Sequence, residues 1–344
     1  MSSAIAGSFI DHPRKIHFRK NWAKPILAFL HARLQKKLIY LGLPGYRALD
    51  ILEWQDFLKI IIAFQAVNYD GRDATVDSDK EMNFLIEILN DLEAKKIIET
   101  YALYVGYIEQ VVMSEEDDSN EPFALNDYIT VYNLDFCNTL SKPFEIIGKD
   151  NKVYECFKID VIEKLISIQR DRFNNGANAC FAMFLTVNSH FFERMVTTID
   201  DQVIKNYIAN DLKGIIGDKR LIRLLKAYTF YKLNEVFKRH NFHIEILPAI
   251  YYMGSGTYYD EKRKTDRPFW LLTFTILGTP INLNDPPISY QQDFKEFLKK
   301  KFVFINDQGI SCFTESSLSE DDYSPQISDL LSTSHTVTKL WTTC

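Results

Sequence analysis

Ile60-Ile61-Ile62-Ala63-Phe64-Gln65-Ala66-Val67 is the stretch on which the fold turns. It has the length of a strand, is almost continuously apolar, and lacks the alternation of a sheet with one wet face. A strand buried on both faces reads this way, and such strands belong to parallel sheets covered by helices. On its N-terminal side, residues 38–43 form a second apolar run that closes in the tight turn Gly42-Leu43-Pro44-Gly45. On its C-terminal side, residues 97–105 end at Gly106, residues 128–134 run into Asp135-Phe136-Cys137-Asn138, and residues 179–187 are apolar again. Helical spacing fills the intervals at 21–37, 46–59, 80–92, 157–173, 192–208 and 219–239, with Trp54 read as packing.

The pattern changes after 239. Residues 242–253 and 268–277 are strand-like, with a charged, turn-rich connector and no helix between them, so they are expected to pair antiparallel, with Trp270 in the core. A helix is expected near 290–301. Alternation followed by a hairpin predicts an α/β fold. Its sheet is mostly parallel and doubly wound, of about seven strands, with helices on both faces and an antiparallel C-terminal hairpin at its edge.

Composition sets outer limits. The chain has 344 residues, 46% hydrophobic and 25% charged, with 25 Phe, 18 Tyr and only 13 Gly, which excludes a low-complexity or repeat chain. No run approaches the roughly 20 apolar residues of a membrane span. No secretory signal is visible, and Cys137, Cys156, Cys180, Cys312 and Cys344 are odd in number and never paired as CxxC. A cytoplasmic protein without a disulfide framework is the expectation. The net charge is -6, yet residues 12–49 hold no acidic residue. The basic segments 12–47 and 213–239 are read either as phosphate-binding surfaces for nucleic acid or as solvated helix faces.

Five alternating strands and a closing hairpin resemble the class I S-adenosylmethionine-dependent methyltransferases across about residues 38–279. The resemblance implies a Rossmann-like domain at 38–281. A basic helical segment precedes it at 1–37, a helical addition follows at 282–311, and a weakly ordered polar tail closes the chain at 312–344. It implies S-adenosylmethionine as cofactor. Gly42, Pro44 and Gly45 would supply the close-approach turn after the first strand, and Asp70 or Asn68 the ribose contact after the second. Gly106 and Tyr107 stand where the family often has an adenine-binding Asp. Asn133, Asp135, Phe136 and Asn138 stand where amino-methylating members carry an Asp/Asn-Pro-Pro-aromatic motif. The chain departs from the family in Pro44, in the absent adenine Asp and in the absent prolines. The same strand end is faintly similar to three-Cys-motif partner proteins, which share that core.

A plainer reading of Asn133, Asp135 and Asn138 makes them caps bonded to backbone. His240 and His243 lack a third ligand, His190 reads as a loop residue, and Cys137 has no assignable basic partner. Two functions are therefore expected. One is methyl transfer to nucleic acid or an associated protein. The other is a catalytically silent methyltransferase-like domain that binds a nucleotide or protein partner within a multi-protein system such as phage defence. A dinucleotide oxidoreductase fits less well, because no GxGxxG is present.

Overall fold

The computed structural model describes residues 11–66, 76–136, 139–148, 152–172, 179–189, 195–196, 199–260, 265–281, 297–298, 302–313 and 320–321. The apolar runs become parallel strands: β1 (Leu38–Gly42), β2 (Leu58–Gln65), β3 (Thr100–Val105), β4 (Val131–Asp135) and, after an intervening hairpin, β7 (Phe181–Asn188). Parallel pairing gives the order β3-β2-β1-β4-β7. The quoted stretch shows why. Ile61 and Ala63 enter one core and Ile62 and Phe64 the other, so both faces of β2 are buried.

One face carries α2 (Lys24–Leu34), α3 (Leu49–Trp54) and α4 (Val76–Ala94). Trp22, Ile26, Leu27 and Leu30 are fully buried there with Trp54, Phe184 and Tyr252. Burial of side chains of this size stabilises by about 1.5–3 kcal/mol each. The other face carries α5 (Ile108–Ser114), α6 (Lys158–Asp171) and α8 (Gly217–Arg239), packed through Val111, Ile162, Leu165 and Phe237. Before α2 lie α1 (Pro13–His17) and a π-helical turn, Phe18–Ala23. Between β7 and α8 sits α7 (Gln202–Asn206), capped by the Asp201 carboxylate on the Val203 and Ile204 amides at 2.8 and 3.0 Å.

The C-terminal half is richer than the sequence reading. Residues 242–253 are two strands, β8 (Phe242–Ile246) and β9 (Ile250–Asp260), split around Pro248, which has no N–H for a ladder. Both pair antiparallel with β10 (Thr265–Pro280), so the expected hairpin forms. It is not the sheet edge. β10 lies between β7 and β9, and β11 (Phe302–Asn306), β12 (Gly309–Phe313) and β13 (Glu320–Asp321) extend the sheet to eleven strands among the described residues. Residues 302–311, read as part of a helical addition, thus belong largely to strands, and the expected helix at 290–301 lies mostly outside the described residues. A separate hairpin of β5 (Phe144–Ile147) and β6 (Val153–Cys156) follows β4 and was not read in the sequence. No helix among the described residues is long and apolar enough to cross a membrane.

Candidate functional site

The strand order reverses between β1 and β4, and open α/β sheets bind ligands outside the carboxyl ends at such a point. β1 delivers Gly42 there, directly paired with Asn133 of β4, and the Leu43 amide donates to the Asn133 carbonyl at 3.0 Å. The Tyr40 side chain leans toward the same end. A Cβ on Gly42 would sit 2.5 Å from the Asn133 carbonyl oxygen and 2.7 Å from the Tyr40 hydroxyl. Gly42 is therefore required by the packing of the protein against itself. Gly45 closes the turn at φ +63°, and its carbonyl accepts from the Ala48 amide at 3.1 Å. Pro44 is half-buried beside it.

Beneath this turn lies a buried polar network that the sequence reading missed. The Tyr40 hydroxyl and the Asn133 side-chain amide both donate to Asp50 Oδ2, each at 2.5 Å. Asp50 is the second residue of α3, so the network ties β1, β4 and α3 together across the reversal. Burial raises the Asp50 carboxyl above its usual range, against the pull of the Tyr40 and Asn133 hydrogen bonds. Burial, and then Asp50 itself, pushes the Tyr40 phenol well up. The Ile51 backbone amide also pulls the Asp50 carboxyl down. One signal could have found it: Asp50 precedes Trp54 by one helical turn, which puts a carboxylate on a buried stripe.

At the end of β3, Gly106 (φ +126°) donates its amide to the Gln65 carbonyl at 2.9 Å. The acidic loop after α5 folds back onto this point. The Asp117 carboxylate accepts from the amides of Val105, Ser119 and Glu121 at 2.8–2.9 Å, and the Asp118 amide donates to the Val105 carbonyl at 2.9 Å. The Asp118 carboxyl then lies 2.9 Å from where a Gly106 Cβ would be. Burial, and then Asp117, raises its affinity for a proton. An acid thus stands at the end of the third strand, supplied by a loop rather than by the strand itself. Tyr107 is exposed next to it.

At the end of β4, Asp135 Oδ2 meets Lys15 Nζ of α1 at 3.0 Å. Asp135 is thus an ion-pair partner, and Lys15 is a site residue the sequence reading did not name. Phe136 corrects an expectation: its ring is buried in the core on the opposite face, with Lys158 Nζ 5.5 Å from its centroid. Consecutive strand residues point to opposite faces, so Phe136 cannot stack beside Asp135. Asn68, Asp70 and Asn138 lie outside the described residues, as do Cys137 and His190.

Much of the basic charge is paired internally. Arg14 meets Asp307 at 2.9 Å, Arg19 meets Asp11, Lys24 meets Glu53 at 2.8 Å, and Lys37 bonds the Ile97 carbonyl at 2.8 Å. In the second segment Arg223 and Lys226 are buried, Lys232 pairs with Glu235 and Arg239 with Glu163. His240 also contacts Glu163, at 3.3 Å.

No family model matches the chain, and no curated protein matches it. Among solved structures it is similar to an rRNA methylase from Streptococcus thermophilus, at 12% identity over 80% of this chain and 99% of that one, with a TM-score of 0.30. It is similar to a precorrin-6y C5,15-methyltransferase from Geobacter metallireducens at 9% identity, covering 74% of this chain and 87% of that one, TM-score 0.30. It is also similar to an SAM-dependent methyltransferase from Agrobacterium tumefaciens at 13% identity, covering 78% and 62%, TM-score 0.32. The fold itself is read from the strand order. Five parallel strands reverse direction of growth between the first and fourth, and an antiparallel strand is inserted beside the fifth, ahead of the strand that precedes it in sequence. The chain has a Rossmann-like α/β fold, extended among the described residues by three further strands.

Proposed function

We propose that this protein binds S-adenosylmethionine, or its demethylated product S-adenosylhomocysteine, in the crevice outside the carboxyl ends of β1 to β4, as a methyltransferase-like protein. The observation that carries this reading is the strand reversal at β1 and β4, with the buried Asp50 carboxylate tying β1, β4 and α3 together beneath it. The residues present fit the cofactor. The turn closed by Gly45 offers backbone beside the strand end, Asp118 and Tyr107 stand at the end of β3 for a purine, and Asp135 marks the side from which an acceptor would approach. When bound, the cofactor would supply a methyl group on a sulfonium. The contribution of the protein would be position and exclusion of water more than acid–base strength. Calorimetric titration tests the reading: saturable one-to-one binding of both ligands is expected, and absence of binding by either overturns it.

A second reading, a catalytically silent nucleotide- or partner-binding domain, draws on the pairing of Asp135 with Lys15 and the burial of Phe136. Transfer of a labelled methyl group to any acceptor, lost in Asp135→Ala, would exclude it. A nucleic-acid acceptor would have to be met by the exposed Lys36, Arg47, Lys213, Lys219 and Lys238.

A further inference from the structure

The helix that brings Lys15 to the site is held unlike its neighbours. None of the five side chains of α1 is buried, whereas the π-helical turn that follows anchors Phe18, Trp22 and Ala23. Polar contacts dock α1: Lys15 on Asp135 at 3.0 Å, Arg14 on Asp307 at 2.9 Å and on the Met253 carbonyl at 2.9 Å, and His17 against the Asp307 carbonyl at 3.3 Å. Contacts of this kind, at side chains partly open to water, are weak and salt-sensitive. The junction is π-helical, a geometry found frequently at functional sites.

Beside α1 the sheet carries a polar row where a helix-covered sheet is usually apolar. Asp135, Thr186 and Thr273 are direct neighbours on β4, β7 and β10, and the two threonine hydroxyls lie 2.7 Å apart. The Tyr252 hydroxyl bonds to both threonines, and Asp135 and Lys15 act on it electrostatically. The row offers one carboxylate and three hydroxyls, which suits a group that is cationic and rich in N–H donors. The chain already places such a group there, the ammonium of Lys15.

We propose that Lys15 occupies from within a subsite for a primary alkylammonium, and that α1 is a latch which an incoming amine displaces. As a methyl-acceptor subsite this rests on the function proposed above; as an ammonium subsite it stands by itself. The amine of the acceptor would take the place of the Lys15 ammonium on Asp135, with Thr186, Thr273 and Tyr252 behind it.

The test needs no cofactor. Short-time amide hydrogen exchange is followed for peptides covering 11–18 and 131–136 in n-butylammonium chloride and in sodium chloride at equal ionic strength. In the wild type, n-butylammonium should speed exchange of 11–18 several-fold more than sodium does. In Asp135→Asn, exchange of 11–18 should be fast and equal in the two salts. In Lys15→Met, n-butylammonium should protect 131–136, with exchange elsewhere unchanged as the control for folding. Equal wild-type exchange in both salts, or wild-type protection of α1 retained in Asp135→Asn, would overturn the proposal. A failed S-adenosylhomocysteine titration beside a positive amine result would remove the methyl-acceptor role and leave the subsite.

Discussion

Replacing Gly42 by alanine puts a methyl carbon 2.5 Å from the Asn133 carbonyl oxygen and 2.7 Å from the Tyr40 hydroxyl, closer than carbon approaches oxygen in folded proteins. Neither neighbour can retreat freely. The carbonyl is held by the Leu43 amide, and the hydroxyl by Asp50 at 2.5 Å in a fully buried setting. Overpacking of this kind costs about 1–3 kcal/mol. Displacing Tyr40 from Asp50 would add about 1–3 kcal/mol for buried groups left unpaired. Gly42→Ala should therefore lose about 2–6 kcal/mol in urea denaturation. At roughly 1.5 °C per kcal/mol for a chain of this length, that is a Tm lower by about 3–9 °C. Tyr40→Phe removes one of the three clashing atoms and leaves the Asn133 carbonyl oxygen and the ring Cζ, at 2.5 and 2.9 Å. The double variant should thus be less destabilised than the sum of the single ones, by roughly 0.5 kcal/mol or more. A neutral Gly42→Ala, or strict additivity with Tyr40→Phe, would refute the packing account of the glycine.

Asp50→Asn should change how stability varies with pH. Because burial raises the Asp50 carboxyl in the folded state, its contribution is fully present below the usual carboxylate range and is lost as pH rises through the raised value. The stability advantage of wild type over Asp50→Asn should therefore shrink from acid toward neutral pH; urea midpoints showing an advantage that grows would contradict this. Asp117 and Asp118 are adjacent and should behave oppositely. Asp117→Ala strips three backbone amides of their acceptor and should cost about 2–4 kcal/mol by thermal unfolding. Asp118→Ala, at an exposed position, should change stability by less than about 0.5 kcal/mol while weakening S-adenosylhomocysteine roughly tenfold by calorimetry.

The parallel core was legible because apolar runs such as 60–67 and 179–187 have no other economical burial. The doubled C-terminal strands were not, since a single proline at 248 divides what periodicity reads as one run, and 302–306 and 309–313 are too short to stand out. In the site, Gly42 was visible as a glycine, but its cause, the Tyr40 ring two residues earlier, is a matter of side-chain direction that spacing does not report. The acid at the end of β3 was missed because it arrives from a loop twelve residues beyond Gly106. Charge runs gave the sign of segment 12–47 but not its partners, because Asp135 and Asp307 lie 120 and 293 residues away from Lys15 and Arg14. Phe136 failed for a simpler reason: strand alternation sends it to the face opposite Asp135.

The location of the ligand is the central claim, and amide hydrogen exchange with and without saturating S-adenosylhomocysteine tests it most directly. Protection should appear at the Gly42–Gly45 turn and the start of α3, at 105–108 and 117–119, and at 133–136, with α6 and α8 of the opposite face unchanged. Protection confined to other regions, or an identical exchange map in the presence of the ligand, would contradict the account.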